Sequence, residues 1–315
     1  MHFKELPLRI KILQISTLES LTLGLTKEWY SPAIEKLERK YLPALKTLWL
    51  NLTTFKPEGD NIWISADNGL KDEAIPPRQP PTVFFEGLDN PELKLLNIKF
   101  PLQATGPMFL SVISAAQNNC RLQNLSELAL AGGGWFSTCA ECGIRPPPNI
   151  EPIELRAALT MLLPMHQLKV LRLSVAPNFL DVLDLEMYRE MAEGMPALER
   201  LQLGHAEFVT TSEFHGTRSY ERVPLHHLAA FCCLLEKLVE VSVGAVDGLV
   251  LEENPNKEWV CPGVKKLVVI HWAGRDNTWV GVDRKLLNMG LRTYFPNSDL
   301  SKEFSERLSI FDPEN

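Results

Sequence analysis

Few groups of residues in this chain have the spacing that chemistry demands. Cys139-Ala-Glu-Cys142 is set as zinc ligands are set, but a structural zinc needs two further donors, and no second Cys-x-x-Cys or His-x-x-x-His exists. A redox role for that pair calls for a strand-to-helix setting, whereas Gly132-Gly-Gly134 precedes it and Pro146-Pro-Pro148 follows. The three glycines lack both the spacing and the following Lys-Ser/Thr of a phosphate-cradling loop, and there is no Gly-x-Ser-x-Gly elbow or dinucleotide fingerprint. Glu151 and Glu154 are spaced like a solvated first helical turn, and His226-His227 falls between apolar residues of a helix. The expectation is a non-enzyme with no catalytic residue, no cofactor and no metal. What remains is recognition of another protein, for which Trp49, Arg172 and Arg200 are the strongest anchors, because Trp and Arg are enriched at interface hot spots.

Those three residues belong to a pattern. In Leu168-Lys169-Val170-Leu171-Arg172-Leu173, apolar residues occupy the first, fourth and sixth places. The triplet returns as Leu18-Leu21-Leu23, Leu45-Leu48-Leu50, Leu93-Leu96-Ile98, Leu125-Leu128-Leu130, Leu198-Leu201-Leu203, Leu238-Val241-Val243 and Val264-Leu267-Val269. Alternation along a strand sends the fourth and sixth side chains to one face and the third, fifth and seventh to the other. A single such strand cannot bury its apolar row alone, so the copies must stack in parallel with their connections packed behind them. The predicted fold is α/β, a leucine-rich-repeat solenoid or horseshoe, with a parallel sheet on the concave face and helices on the convex face. The expected binding wall is the concave row of intervening residues, chiefly Trp49, Asn97, Glu127, Arg172, Arg200, Gln202, Glu240 and Lys266. Arg172 and Arg200, on adjacent units, are expected to form a positive patch suited to an acidic or phosphorylated segment.

The connections read as helices and irregular loops. Ser31-Pro32 opens a helix over 32–42, Thr105-Gly-Pro107 opens another, and further helices are expected over 152–163, from Asn178 to Glu193 closed by Gly194, and over 224–237. Residues 51–92 form a long insertion in which Ile62-Trp63-Ile64 is a candidate extra strand, and residues 1–17 are a candidate N-terminal cap. The array is expected to span 18–272, and 273–315 to form a C-terminal helical cap with segments near 283–289 and 299–310. The mean spacing between copies is about 35 residues, longer than the common leucine-rich period, so helices must fill much of the outer face.

Leu-x-x-Leu-x-Leu followed by a helix, with irregular loops, resembles the substrate-recognition arrays of F-box/leucine-rich-repeat proteins, particularly the irregular fungal kind. The resemblance covers most of residues 18–270 and implies selection of a protein substrate for a ubiquitin ligase, with a Skp1-like adaptor as a second partner. Leu6-Pro7-Leu8-Arg9-Ile10-Lys11-Ile12-Leu13 is similar to the opening of an F-box, but a strand pattern begins too soon after it for the module to be identified. The Asn or Cys that the family places three residues after the sixth-place leucine is also missing, with Thr26, Thr53, Pro101, Gly133, Ala176, Ala206, Val246 and Trp272 standing there. Two other readings stay open: a structural repeat protein without a ligase connection, and a metal-dependent or hydrolytic enzyme.

Composition sets the outer limits. A net charge of −7 excludes a general phosphate-backbone binder, so no nucleic-acid partner is expected. No run of 18 or more apolar residues appears, so no membrane partner is expected, and Arg9 and Lys11 interrupt any secretory signal near the start. The six cysteines are then read as reduced thiols of a cytoplasmic or nuclear protein.

Overall fold

The computed structural model describes residues 16–24, 42–52, 84–85, 87–88, 90, 92–100, 106–132, 152–174, 183–204, 223–247, 259–271 and 291–301. Within them ten strands are described. The strands are β1 (Ser20–Gly24), β2 (Thr47–Asn51), β3 (Leu95–Phe100), β4 (Glu127–Gly132), β5 (Val170–Ser174), β6 (Arg200–Leu203), β7 (Val223–Pro224), β8 (Glu240–Asp247), β9 (Lys266–His271) and β10 (Asp299–Ser301). The helices are α1 (Gly106–Cys120), α2 (Pro152–Leu162), α3 (Leu185–Gly194) and α4 (Leu225–Leu234), lying between β3 and β4, β4 and β5, β5 and β6, and β7 and β8 respectively.

Every strand pair is parallel, and the order across the sheet follows the order in the sequence, with the two-residue β7 set against the far end of β8. The register aligns the repeats place for place. Leu21, Leu48, Leu96, Leu128, Leu171, Leu201, Val241, Leu267 and Leu300 form one continuous row from β1 to β10. The sixth-place residues form a second row beside it. Leu21 to Leu267 of the first row, Leu23 to Val243 of the second and the apolar faces of the helices make one core, in which Phe109, Val112, Ile113 and Ala116 of α1 are all buried as their helical spacing requires. Phe100 of β3 meets Phe109 of α1 edge to face at 5.1 Å, and Tyr188 of α3 stacks on Phe231 of α4 at 4.6 Å. The architecture is therefore an α/β stack with one open parallel sheet, solenoid-like in its connectivity.

The first-place residues have a different job from the rest of their triplets. They precede the strands, which begin at the third place, and from Leu45 to Val264 their side chains are buried, whereas Leu18 is half-buried. In five units the first-place amide donates to the carbonyl three residues earlier: Leu45 to Leu42, Leu125 to Leu122, Leu168 to Met165, Leu198 to Met195 and Leu238 to Leu235. The turn therefore carries its own apolar signature, a buried residue on each side of two exposed or half-exposed ones. Immediately after it, the amides of the second and third places both donate to the second-place carbonyl of the preceding unit. Lys169 and Val170 bond Ser126 O in this way, Glu199 and Arg200 bond Lys169 O, and the same fork recurs at every step from β1 to β9. This ladder satisfies the backbone at strand entry. In the third unit Asn90 joins it from a buried side chain, donating to Leu42 O and Leu45 O while its own Oδ1 accepts from the Glu92 amide.

Three expectations are corrected. The helix expected from Asn178 begins at Leu185, because Asp184 caps it by accepting from the Met187 amide at 2.8 Å. Gly194 does not close that helix in a left-handed conformation. It is the last helical residue, lying so close to the preceding unit that a Cβ would come within 2.1 Å of Leu163 O. Finally, the helix expected over 299–310 gives way at its start to β10, which pairs with β9 through Asp299↔Lys266 and Leu300↔Leu267. The sheet thus extends into the segment assigned to a helical cap. This rung escapes the template because Asn297 stands at its first place and Lys302 at its sixth. The N-terminal cap over 1–15 with its F-box-like stretch, the helix over 32–41, Ile62-Trp63-Ile64, the segment 283–289 and the Cys139/Cys142 loop lie outside the described residues.

Candidate protein-binding face

The third-, fifth- and seventh-place residues share the face of the sheet opposite the helices, and the parallel register turns them into rows. One row reads Thr22, Trp49, Asn97, Ala129, Arg172, Gln202, Ser242 and Val268. The other reads Ser20, Thr47, Leu95, Glu127, Val170, Arg200, Glu240, Lys266 and Asp299. All eight residues expected to bind a partner therefore fall on one face and in two adjacent rows.

Exposure separates them. Arg200 is exposed, and Trp49, Glu127, Arg172, Glu240 and Lys266 are half-buried. Asn97 and Gln202 are buried, at 2% and 8% exposed, so they stand beneath the surface rather than on it. In register, Asn97 lies between Trp49 and Ala129, and Gln202 between Arg172 and Ser242. The same face holds buried polar atoms without hydrogen-bond partners among the described residues: Asn97 Nδ2, Ser174 Oγ and Ser242 Oγ. An unsatisfied buried donor or acceptor costs on the order of 1–3 kcal/mol. Sequence reasoning placed Ser174 and Ser242 on the wall without singling them out, since a serine carries no sign of its own burial.

Charge on this face is largely compensated within it. Arg172 Nη1 lies 2.6 Å from Glu127 Oε1, a diagonal pair between the fifth place of β5 and the third place of β4. Lys266 Nζ lies 2.9 Å from Glu240 Oε1 on the neighbouring strand. The expected positive patch of Arg172 and Arg200 is therefore corrected, since the Glu127 carboxylate neutralises Arg172. Both partners were legible in the sequence as wall residues of adjacent units, and the register of those units was enough to bring them together. From β6 to β10 the third-place row alternates in sign through Arg200, Glu240, Lys266 and Asp299. Arg200 has no ion-pair partner among the described residues.

Away from this face, the titratable groups have structural surroundings. Arg156 of α2 bridges to Asp184 and Glu186 at the start of α3, both at 2.8 Å. The Met187 amide holds the Asp184 carboxyl below its ordinary value, with Arg156 adding to the effect. His226 stacks on Trp259 and meets His227 edge to face, and burial lowers the His227 imidazole. Burial also pushes the Cys120 thiol up to about 12 and raises the Tyr188 hydroxyl and the Cys232 thiol. Among the described residues no three His, Cys, Asp or Glu side chains converge as metal ligands, and no helix is long and apolar enough to cross a membrane. No protein-family model matches the sequence, and no curated protein matches it.

Proposed function

We propose that this chain is a non-catalytic protein-recognition scaffold, a leucine-rich-repeat horseshoe whose concave wall is the sheet face carrying Trp49, Arg172, Arg200, Glu240 and Lys266. The observation that carries this reading is the division of labour within each strand. The fourth- and sixth-place residues whose side chains are described all belong to the core, while the alternate rows present an indole, two guanidiniums and carboxylates in strict register across successive units. A stack of repeats generates such an extended surface because each unit contributes one strand to it.

The alternating charges favour a partner of mixed sign over a uniformly acidic one, because only complementary juxtapositions escape a repulsive cost. Trp49 and Arg200 are the anchors on this reading, the first for its apolar area and the second for its uncommitted charge. Delivery of the partner to a ubiquitin ligase through a Skp1-like adaptor, in the cytoplasm or nucleus, is the pathway that the F-box resemblance supports.

The test is affinity capture with quantitative mass spectrometry, comparing the wild-type chain with Trp49→Ala and Arg200→Glu. A partner that uses the wall is captured at least tenfold less by both variants at unchanged melting temperature. Equal capture of every wild-type partner by both variants refutes the wall as the binding face. Failure of any Skp1-like adaptor to co-purify removes the ligase connection alone.

A further inference from the structure

The third-place row changes character at β6. In register from β6 through β8 and β9 to β10 it reads Arg200, Glu240, Lys266 and Asp299, each the first residue of its strand, so the four line the entry edge of the sheet. Their signs alternate: plus, minus, plus, minus. The inner two are committed to one another, with Lys266 Nζ 2.9 Å from Glu240 Oε1. Arg200 is in register with Glu240 and Asp299 with Lys266, yet both outer residues are exposed and neither has an ion pair among the described residues. An uncommitted guanidinium and an uncommitted carboxylate thus stand three strand spacings, about 14 Å, apart with a closed pair between them.

We propose that a second copy of this chain occupies this row, related to the first by a two-fold axis that crosses the row at right angles between Glu240 and Lys266. The inference rests on reading the face as a protein-binding wall, and it names one occupant of it. A row of four charges that alternates in sign becomes its own complement when turned end for end. The rotation sets Arg200 against Asp299 of the second copy and Glu240 against Lys266 of the second copy, and each contact occurs twice, as an isologous interface requires. An axis along the row would set like charge on like, at a repulsive cost. The complementarity is confined to these four strands, since from β1 to β5 the same row reads Ser20, Thr47, Leu95, Glu127 and Val170, and its single charge is held by Arg172. Exposed ion pairs are individually weak and screened by salt, so the two molecules associate reversibly and best at low ionic strength. A different partner that needs Arg200 must first displace the second copy.

Sedimentation equilibrium on the full chain reads the association. The wild-type chain is expected to dimerise as its concentration rises at low salt and to dissociate as salt is added. Arg200→Asp and Asp299→Arg each create two like-charge contacts across the axis, so either alone should weaken dimerisation more than about tenfold. Both side chains are exposed, and the circular dichroism of each variant should match wild type. Mixing the two variants should restore the dimer, because the new carboxylate at position 200 of one molecule meets the new guanidinium at position 299 of the other, while the native Asp299 and Arg200 meet as before. A wild-type chain that stays monomeric at low salt, single variants that dimerise like wild type, or a mixture that stays monomeric overturns the second copy as occupant. None of these results touches the wall reading itself, which Trp49→Ala tests from β2, outside the four strands used here.

Discussion

Replacing Gly194 by alanine separates two physical arguments that give opposite signs. Gly194 is the last residue of α3, where helix propensity favours Ala by about 1 kcal/mol and predicts a more stable protein. The structure predicts the reverse. A Cβ at this position would lie 2.1 Å from Leu163 O, 2.8 Å from Leu163 C and 3.1 Å from Leu163 Cα, all of them backbone atoms of the turn that follows α2. No rotamer change can relieve such contacts, so α3 must move away from that turn by more than an ångström. Overpacking of this kind costs up to about 3 kcal/mol, leaving a net loss of about 2 kcal/mol after the propensity gain. Urea unfolding followed by far-ultraviolet circular dichroism reads the loss directly, and a fall of about 4–8 °C in melting temperature should accompany it. Because each unit contacts only its neighbours, hydrogen exchange should accelerate first at Leu168 and Leu198, whose amides close the turns after α2 and α3. Gly263→Ala is the control. Its nearest neighbour is Leu238 O at 3.8 Å, an ordinary contact, and its effect should stay within about 0.5 kcal/mol. A Gly194→Ala protein at least as stable as wild type would show that the close approach to Leu163 carries no weight.

Two further substitutions test the electrostatics. Asp184→Ala removes the cap of α3 and should cost about 1 kcal/mol at neutral pH. The Asp184 carboxyl is depressed in the folded state, so its contribution is present above the ordinary value of 3.8 and disappears as pH falls through the lower folded value. The thermal stabilities of variant and wild type should therefore converge in acid, and a gap that persists there would rule out the carboxylate as its cause. For Glu127 and Arg172, a double-mutant cycle to alanine should return a coupling of about 0.5–1 kcal/mol that weakens as salt is added. Zero coupling would free Arg172 and restore the positive patch expected from the sequence.

The hydrophobic triplets determined the parallel sheet and its register, because period-two alternation puts the fourth- and sixth-place residues of each copy on one face and aligning the copies buries them together. They also set the membership of the opposite face, since the residues between them have no other direction to point. The limits of legibility are equally specific. The β10 rung was missed because polar residues hold two of its three signature places, and pairing with β9 brings it into the sheet regardless. The start of α3 was misplaced because a capping aspartate among many carboxylates is marked only by its bond to the Met187 amide.

Tertiary structure alone decided which wall residues are accessible and which charges are neutralised. Exposure depends on what neighbouring strands place beside a side chain, as Trp49 and Ala129 flank Asn97. Neutralisation depends on distance, as Glu127 reaches Arg172 across one strand spacing though 45 residues separate them in the chain. A repeat pattern records direction within each unit, whereas these properties arise between units, where packing and Coulomb's law act on separations that no single copy encodes.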